Sequence, residues 1–423
     1  MTEEYKAEIH QIRPGNPWWE YCKEVCKASK KLYNKAQFLN RELFSYGNGI
    51  LSYSQSCYHF KGDDDYKKLP AKVSQTVLKQ AYLSWDSFFK SLKAWKLSPE
   101  KFTGKPGIPS FLCNELNMIK FTNQAVSKKL FGKGFINPSQ SPIMIPVKPG
   151  MVFQSLAEVR IVPKTGCFNI EVIYKNEVKG VHHKSQGVSA AIDIGLDNLA
   201  TVVFSDPTIQ PLAADGKPLK SKNQWFNKET ARLKKLLISG VKGSRKIDNI
   251  RRNTNNFIHT YLHQISSRLV NEFEKLGVKE VAIGKNPQWK TKIAIGKVGN
   301  QNFCQIPHAK FISLLTQKLE RVGITVKVGE ESYTSKASFL DWDMIPSWKP
   351  GSAENFRFSG KRVETKRYKA SSGTVINADV NGAFNIGRKV IPNSFGHLKV
   401  IVERNSGCVV AHPRRISLFS QND

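Results

Sequence analysis

Three short stretches carry carboxylates where a strand ends or a helix begins: AAIDIG at 190–195, GEESYTSKAS at 329–338 and NADVNGAFNIGRK at 377–389. Asp193 and Asp379 lie 186 positions apart, so only tertiary folding can join them. Carboxylates gathered in one place repel one another, and they are tolerated where divalent cations sit between them. Each residue also has a plainer reading. Asp193 interrupts the apolar run 190–194, which is costly unless it is paired or metal-bound, yet an Asp can simply cap a strand before a turn at Gly195. Asp379 falls in the first turn of a helix that Asn377 could cap, where a carboxylate complements the helix dipole. Gly382 and Ala383 in that helix are small enough to let it approach a sheet closely. Glu330 and Glu331 follow an apolar run at 324–328. Glu331 is the first choice for a third ligand and Glu330 the alternative, against two solvated residues at a strand end.

Positioning these acids requires a mixed sheet. Residues 188–194 and 199–204 read as strands around a turn at 195–198, and a second turn falls at Asp215-Gly216. A helical pattern starts near Asn227, breaks at 239–244 and resumes with Phe257, Tyr261, Ile265, Leu269 and Phe273 at every fourth position. Strand 278–283, helix 307–322, strand 324–328 and helix 378–390 follow. Antiparallel strands first, then alternating helix and strand, is the order of an RNase H-like domain with helices on both faces. The first 185 residues are organised differently. A strand at 5–12 ends at Pro14-Gly15, helices cover 18–44 and about 72–95, and residues 102–112 form a connector with two prolines and two glycines. Strands at 158–162 and 167–174 then flank a hairpin turn. The reading is a β-domain with a helical insertion.

The chain has 423 residues, enough for two to three domains. Lys plus Arg number 65 against 34 Asp plus Glu, a formal net charge of +31. Such an excess predicts a polyanionic partner. No apolar run reaches the roughly 18 residues of a membrane-spanning helix, and the start of the chain, with Glu3 and Glu4, is not a signal peptide. Nucleic acid is therefore favoured over a membrane surface. Seven scattered cysteines form no C-x-x-C pair, which fits a reducing interior. Cys22 and Cys26, four apart on one helix, read as packing residues rather than ligands. An acidic pocket on so basic a chain points to an enzyme that cuts a phosphate backbone.

Four blocks together resemble the TnpB family of transposon-encoded, RNA-guided DNA endonucleases, relatives of the miniature type V CRISPR effectors. They are IDIGLDNLATVVF, the segment running from VAIGKNPQWK to QNFCQIPHAKFI, EESYTSKASFLD and NADVNGAFNIGRK. FTGKPGIP resembles the family's connector ahead of the β-domain. The likeness is dense from about residue 187 to 389 and thin before that. It implies an α+β and α/β multidomain chain. Residues 1–185 would be a β-barrel-like wedge domain with a helical recognition insertion at about 16–110. Residues 186–391 would be an RNase H-like, RuvC-type nuclease domain with a lid at about 334–376, and 392–423 a basic, poorly ordered tail. It further implies a guide RNA, a double-stranded target DNA, and a short DNA motif beside the target read by the N-terminal half. Cleavage would use two Mg²⁺ ions held by Asp193, Glu331 (or Glu330) and Asp379. The location implied is a prokaryotic cytoplasm, at the nucleoid when DNA is bound.

Two departures from the family pattern matter. Gly284 stands where the nuclease usually carries Glu, so the acid would have to come from Glu330-Glu331 on the later strand. The two C-x-x-C pairs of the family's zinc ribbon are missing, with Ser338 and Asp341 near the first and Lys369 and Ser372 near the second. No structural zinc is expected, and residues 341–376 should form a metal-free lid around Trp342, Trp348, Phe356 and Phe358. Arg245, Lys246, Arg251, Arg252, Lys285, Lys290, Lys361, Arg362 and Arg367 are candidate nucleic-acid contacts, against a reading as solvated charge. Two other functions compete with the nuclease. One is an RNA-guided DNA-binding repressor that does not cut; the other is a conventional transposase that joins strands.

Overall fold

The computed structural model describes residues 2–178, 185–241, 243–285, 306–347, 356–364, 366–400 and 412–418. The chain divides into two compact units, residues 1–179 and 180–423.

In the first unit, β1 (Thr2–Ile12), α1 (Trp19–Ser45), α2 (Ala71–Leu97), β2 (Ile119–Thr122), β3 (Leu156–Lys164) and β4 (Cys167–Val178) follow in order. The strands form one antiparallel sheet in the order β1-β4-β3-β2. Alternation along β4 sends Phe168, Ile170 and Val172 into the core. Val73, Val77, Leu78 and Ala81 of α2 meet them there from a single helix face. Cys22 and Cys26 are buried in that core, as packing residues should be. A separate two-stranded ladder joins Phe135–Ile136 to Ile145–Pro146. Among the described residues these sheets do not close into a barrel.

The second unit is built on β5 (Val188–Asp193), β6 (Asn198–Phe204), β7 (Leu212–Asp215), α3 (Lys217–Lys235), α4 (Arg245–Lys275), β8 (Val278–Gly284), α5 (His308–Arg321) and β9 (Thr325–Gly329). Then come β10 (Lys361–Glu364), β11 (Arg367–Lys369), β12 (Val375–Asn377), α6 (Ala378–Val390) and β13 (Arg414–Ile416). The main sheet runs β9-β8-β5-β6-β7-β13. β6 runs antiparallel to its neighbours β5 and β7, whereas β8 and β9 run parallel to β5. Each face has its own core. Ala190, Ile192, Val202, Phe204, Val281 and Ile283 point toward α4 and α5. Ala191, Val203 and Ala282 point toward α6. The period of two then fixes the side on which chemistry can occur. Asp193 shares the α6 face with Ala191, and Gly284 shares it with Ala282.

Among the described residues beyond 391, two stretches are packed where the sequence led to the expectation of a loose tail. Phe395 and Leu398 are fully buried against α6. Arg414–Ile416 adds a parallel edge strand to β7. Ile416 is buried there, Arg415 pairs with Asp215 at 3.6 Å and Arg414 with Glu272 at 2.6 Å. Two arginines that read as tail charge are thus satisfied by carboxylates of β7 and α4.

Candidate functional site: a carboxylate pocket at the sheet end

Asp193 ends β5, and its carboxylate faces the start of α6. A side chain at Gly382 of that helix would bring its Cβ to 2.9 Å from Asp193 Oδ2, so only glycine lets the helix lie this close. Asn377 caps α6 by accepting from the backbone N–H groups of Asp379 (2.9 Å) and Val380 (3.2 Å), which places Asp379 in the first turn. Asn198 donates from Nδ2 to Asp379 Oδ2 at 2.9 Å across the sheet end. Arg362 of β10 approaches Asp379 Oδ1 at 3.6 Å from the opposite side.

Glu331 comes from the turn after β9. A Cβ at Gly284 would fall inside the van der Waals envelope of Glu331 Oε2, 3.1 Å from the Glu331 Cβ and 2.6 Å from Ile386 Cδ1. Glu331 therefore occupies the space that a side chain on β8 would otherwise fill. Glu331 and Asp379 both act on Asp193. Burial, reinforced by the negative charges of Glu331 and Asp379, pushes the Asp193 carboxyl well above its ordinary value, against the pull of Arg362 and the Ile194 N–H. Burial and the neighbouring Glu330 raise Glu331 to about 7, although Lys389 opposes them.

Glu330, the alternative third acid, faces another way. It forms an ion pair with Lys389 and accepts from the Ser332 N–H at 2.6 Å. Burial would raise it, but these partners outweigh burial and hold it below its ordinary value. Among the described residues, no three carboxylate, imidazole or thiol groups stand within reach of a single ion.

The segment after Glu331 is bound to α6 by two buried amides. Asn381 donates to Ala337 O (2.8 Å) and accepts from Phe339 N (2.9 Å), and Asn385 donates to Thr334 O (2.9 Å) and Ala337 O (2.7 Å). Next to it, at the positions lacking the ribbon cysteines, two aspartates clasp serines. Asp343 accepts from Ser338 N (2.8 Å), Ser359 N (3.1 Å) and Ser359 Oγ (2.6 Å). Asp341 accepts from Ser371 N (3.0 Å) and from its hydroxyl. Burial pushes Asp341 up, but the donors from Ser338 and Ser371 outweigh it and leave the carboxyl below its ordinary value. The expected small core is divided. Trp342 packs on Phe339 and under the Arg388 guanidinium at 3.9 Å, while Phe356 and Phe358 gather at Tyr333. Trp348 lies outside the described residues.

The candidate nucleic-acid contacts separate by exposure. Arg245, Lys246, Lys285, Lys361, Arg362 and Arg367 are exposed, and Arg251 is half-buried. Arg252 is buried on the inward face of α4 between Ile247 and Thr254, so it does not offer its charge to a backbone. Lys290 lies outside the described residues. Three contributors were not evident from the sequence: Asn198, Lys389, and Lys220, whose ion pair with Asp197 (2.8 Å) sits one residue from Asn198. Asn198 had a legible signal, being a polar residue opening a strand that is otherwise uniformly apolar but for Thr201. In the first unit, a cleft of about 520 Å³ between α2 and β2 is lined by Lys72, Gln75, Thr76, Gln80, Lys120 and Gln124, among others.

Residues 171–290 match the family model OrfB_IS605, a probable transposase, and residues 308–386 match the Cas12f1-like TNB domain. The chain resembles TnpB and the Cas12f effectors. The first match contains Asp193 and Gly284, and the second contains Glu331, both clasps and Asp379, so the TnpB-like region spans the whole pocket. Two solved structures match the chain. One is a cryo-EM structure of a Cas12f1–sgRNA–target DNA complex, 17% identical, covering 90% of this chain and 98% of that one with a TM-score of 0.35. The other is a cryo-EM structure of a CRISPR–Cas12f ternary complex, 15% identical, covering 87% and 80%, with a TM-score of 0.34. No curated protein matches the chain. No helix among the described residues is long and apolar enough to cross a membrane.

Proposed function

We propose that this TnpB-like chain is an RNA-guided DNA endonuclease that hydrolyses phosphodiesters in an RuvC-type, RNase H-like pocket. The observation that carries the reading is the convergence of Glu331 and Asp379 on the buried Asp193 from three separate segments, where burial and their negative charges raise the Asp193 carboxyl, on a chain of charge +31. Such crowding destabilises a fold and is retained where its charge has a use. The donor set fits the cofactor: three carboxylates offer hard oxygen ligands suited to Mg²⁺. Asp193, Glu331 and Asp379 would hold two such ions, which when bound activate water and stabilise the leaving 3′-oxygen.

The chain's own residues prepare that pocket. Asn198 fixes the rotamer of Asp379, and the tie between Lys389 and Glu330 anchors the turn that presents Glu331. Arg362 stands at the rim, where its guanidinium can pair with the phosphate of an incoming strand. Arg245, Lys246, Lys285, Lys361 and Arg367 would grip backbones, leaving sequence to be read by guide pairing. The cleft between α2 and β2 combines amides and hydroxyls with lysines. Glutamine suits adenine edges and lysine suits phosphates, so this cleft is the place in the N-terminal half for reading a short motif beside the target. The association with a transposon and the location in a prokaryotic cytoplasm belong to the same reading.

The test is cleavage by the purified protein with its co-purified RNA, matching target DNA and Mg²⁺. Cut target that becomes uncut on Asp193→Ala, with RNA binding intact, supports the assignment. A second reading, an RNA-guided repressor, is favoured by the lack of three ligands within reach of one ion among the described residues. Target bound by the wild-type complex but left whole would establish it in place of the nuclease.

A further inference from the structure

We propose that the exposed face of α3 seats a single DNA strand, with a base stacked on Trp225 and with Lys217 and Lys228 holding the phosphates on either side of it. The strand runs along the helix toward the carboxylate pocket. The strand's destination rests on the nuclease reading above; the seat itself does not.

Three observations carry it. The first is where α3 begins. The Gly216 N–H donates to Asp197 O at 2.9 Å, and a Cβ at Gly216 would lie 2.1 Å from Leu196 O. The helix therefore starts flush against the turn that presents Asn198. Lys220 ties the same turn through Asp197 at 2.8 Å, and Asn198 holds Asp379 at 2.9 Å. A strand lying along α3 is thus led to the pocket. The second is the face itself. Lys217, Ser221, Gln224, Trp225 and Lys228 are exposed and share one side of the helix, opposite the buried Leu219, Asn223 and Thr230. Trp225 stands about 12 Å along the axis from Lys217, and Lys228 about 4.5 Å beyond it. The third is a braced ring. Lys222 Nζ lies 4.2 Å from the Trp225 ring centroid and 5.7 Å from that of Phe257, and Phe257 stacks on Tyr261. The Tyr261 hydroxyl donates to Asp215 O at the foot of α3. These contacts fix the indole without covering it, since Trp225 remains 47% exposed. A ring fixed in advance loses little freedom when a base settles on it. An aromatic flanked by cations is the combination that holds single strands. In a duplex the bases already stack on one another, so a tryptophan on a helix flank gains a base only from a single strand. A protein partner fits less well, because the apolar surface is one ring among lysines and amides and not a continuous patch.

The decisive experiment is binding of fluorescein-labelled oligothymidine to the full-length protein, followed by anisotropy in EDTA so that no metal step enters. Trp225→Ala should weaken binding by about 5–100-fold, and Trp225→Phe, which keeps a flat ring, should restore most of it. An abasic strand of the same length keeps the phosphates and has nothing to stack, so it should bind the wild type and Trp225→Ala alike. Lys217→Ala and Lys228→Ala should each reduce the slope of log affinity against log salt by about 0.7, whereas Trp225→Ala should leave that slope unchanged. Equal affinity of the wild type and Trp225→Ala for oligothymidine would overturn the proposal, and so would an equal loss on the abasic strand. A loss confined to oligouridine would assign the face to RNA and overturn it as well. If the cycle holds and the protein still cuts no target DNA, the nuclease reading fails while the seat stands.

Discussion

Two groups of acids lie close together in the chain and differ in what surrounds them. Around Asp341 and Asp343, backbone N–H groups and serine hydroxyls point at the carboxylates, and Asp341 is held below its ordinary value. Around Asp193 and Glu331 the dominant neighbours are other carboxylates and apolar walls, and both groups are pushed upward. The contrast separates acids held by hydrogen-bond donors from acids crowded together in a buried pocket, the arrangement on which the proposed cation site rests.

The comparison is most sharply broken by removing one acid from each group. Asp193→Ala or Asp379→Ala should reduce target cleavage by about 10³-fold or more with guide RNA binding preserved, as measured by cleavage and filter-binding assays. Asp343→Asn should leave cleavage of a short-lived incubation largely intact. Next in size is the division between neighbouring glutamates. Glu331→Gln should lower cleavage by about 10²-fold or more, whereas Glu330→Gln should cost about 10-fold, measured across a Mg²⁺ titration. Equal losses would mean that the turn, and not Glu331, is what matters.

The two groups should also respond oppositely to pH. Asp193 and Glu331 are raised in the folded state, so their contribution to stability is present at low pH and is lost as pH rises through about 7 for Glu331. Asp341 is lowered, so its contribution is present at neutral pH and lost on acidification. Melting temperature in EDTA should therefore fall between pH 5 and pH 8, set here as about one unit or more either side of ordinary and raised carboxylate values. Asp193→Asn should flatten that fall, and Mg²⁺ should reverse it in the wild type only. The smallest effect belongs to the clasp. Asp343→Asn should destabilise the second unit by about 1–2 kcal/mol, and a zinc chelator should leave the wild-type melting curve unchanged.

Much of this arrangement was legible beforehand. The break in the apolar run 190–194 singled out Asp193, the small residues of 382–383 pointed to a helix lying close to the sheet, and helix 378–390 is found with those bounds. The start of α3 was not legible, because the Lys- and Asn-rich stretch before Asn227 has little apolar period; Pro218 in its first turn was the available sign. The space at Gly284 depends on parallel register and on the reach of a side chain from another strand, neither of which a linear pattern encodes. The clasps were equally hidden, since serine and aspartate in a loop read as solvated until their partners, up to 30 positions away, are known. The edge strand 414–416 was missed because its two arginines dominate its composition, whereas its pairing rests on one isoleucine and two distant carboxylates.

The amide ties from Asn381 and Asn385 reach back to the stretch that begins three residues after Glu331. Glu331 and Asp379 consequently ride on one rigid bracket, while Asp193 belongs to the sheet beneath it. A change at either amide would therefore reach two of the three acids at once.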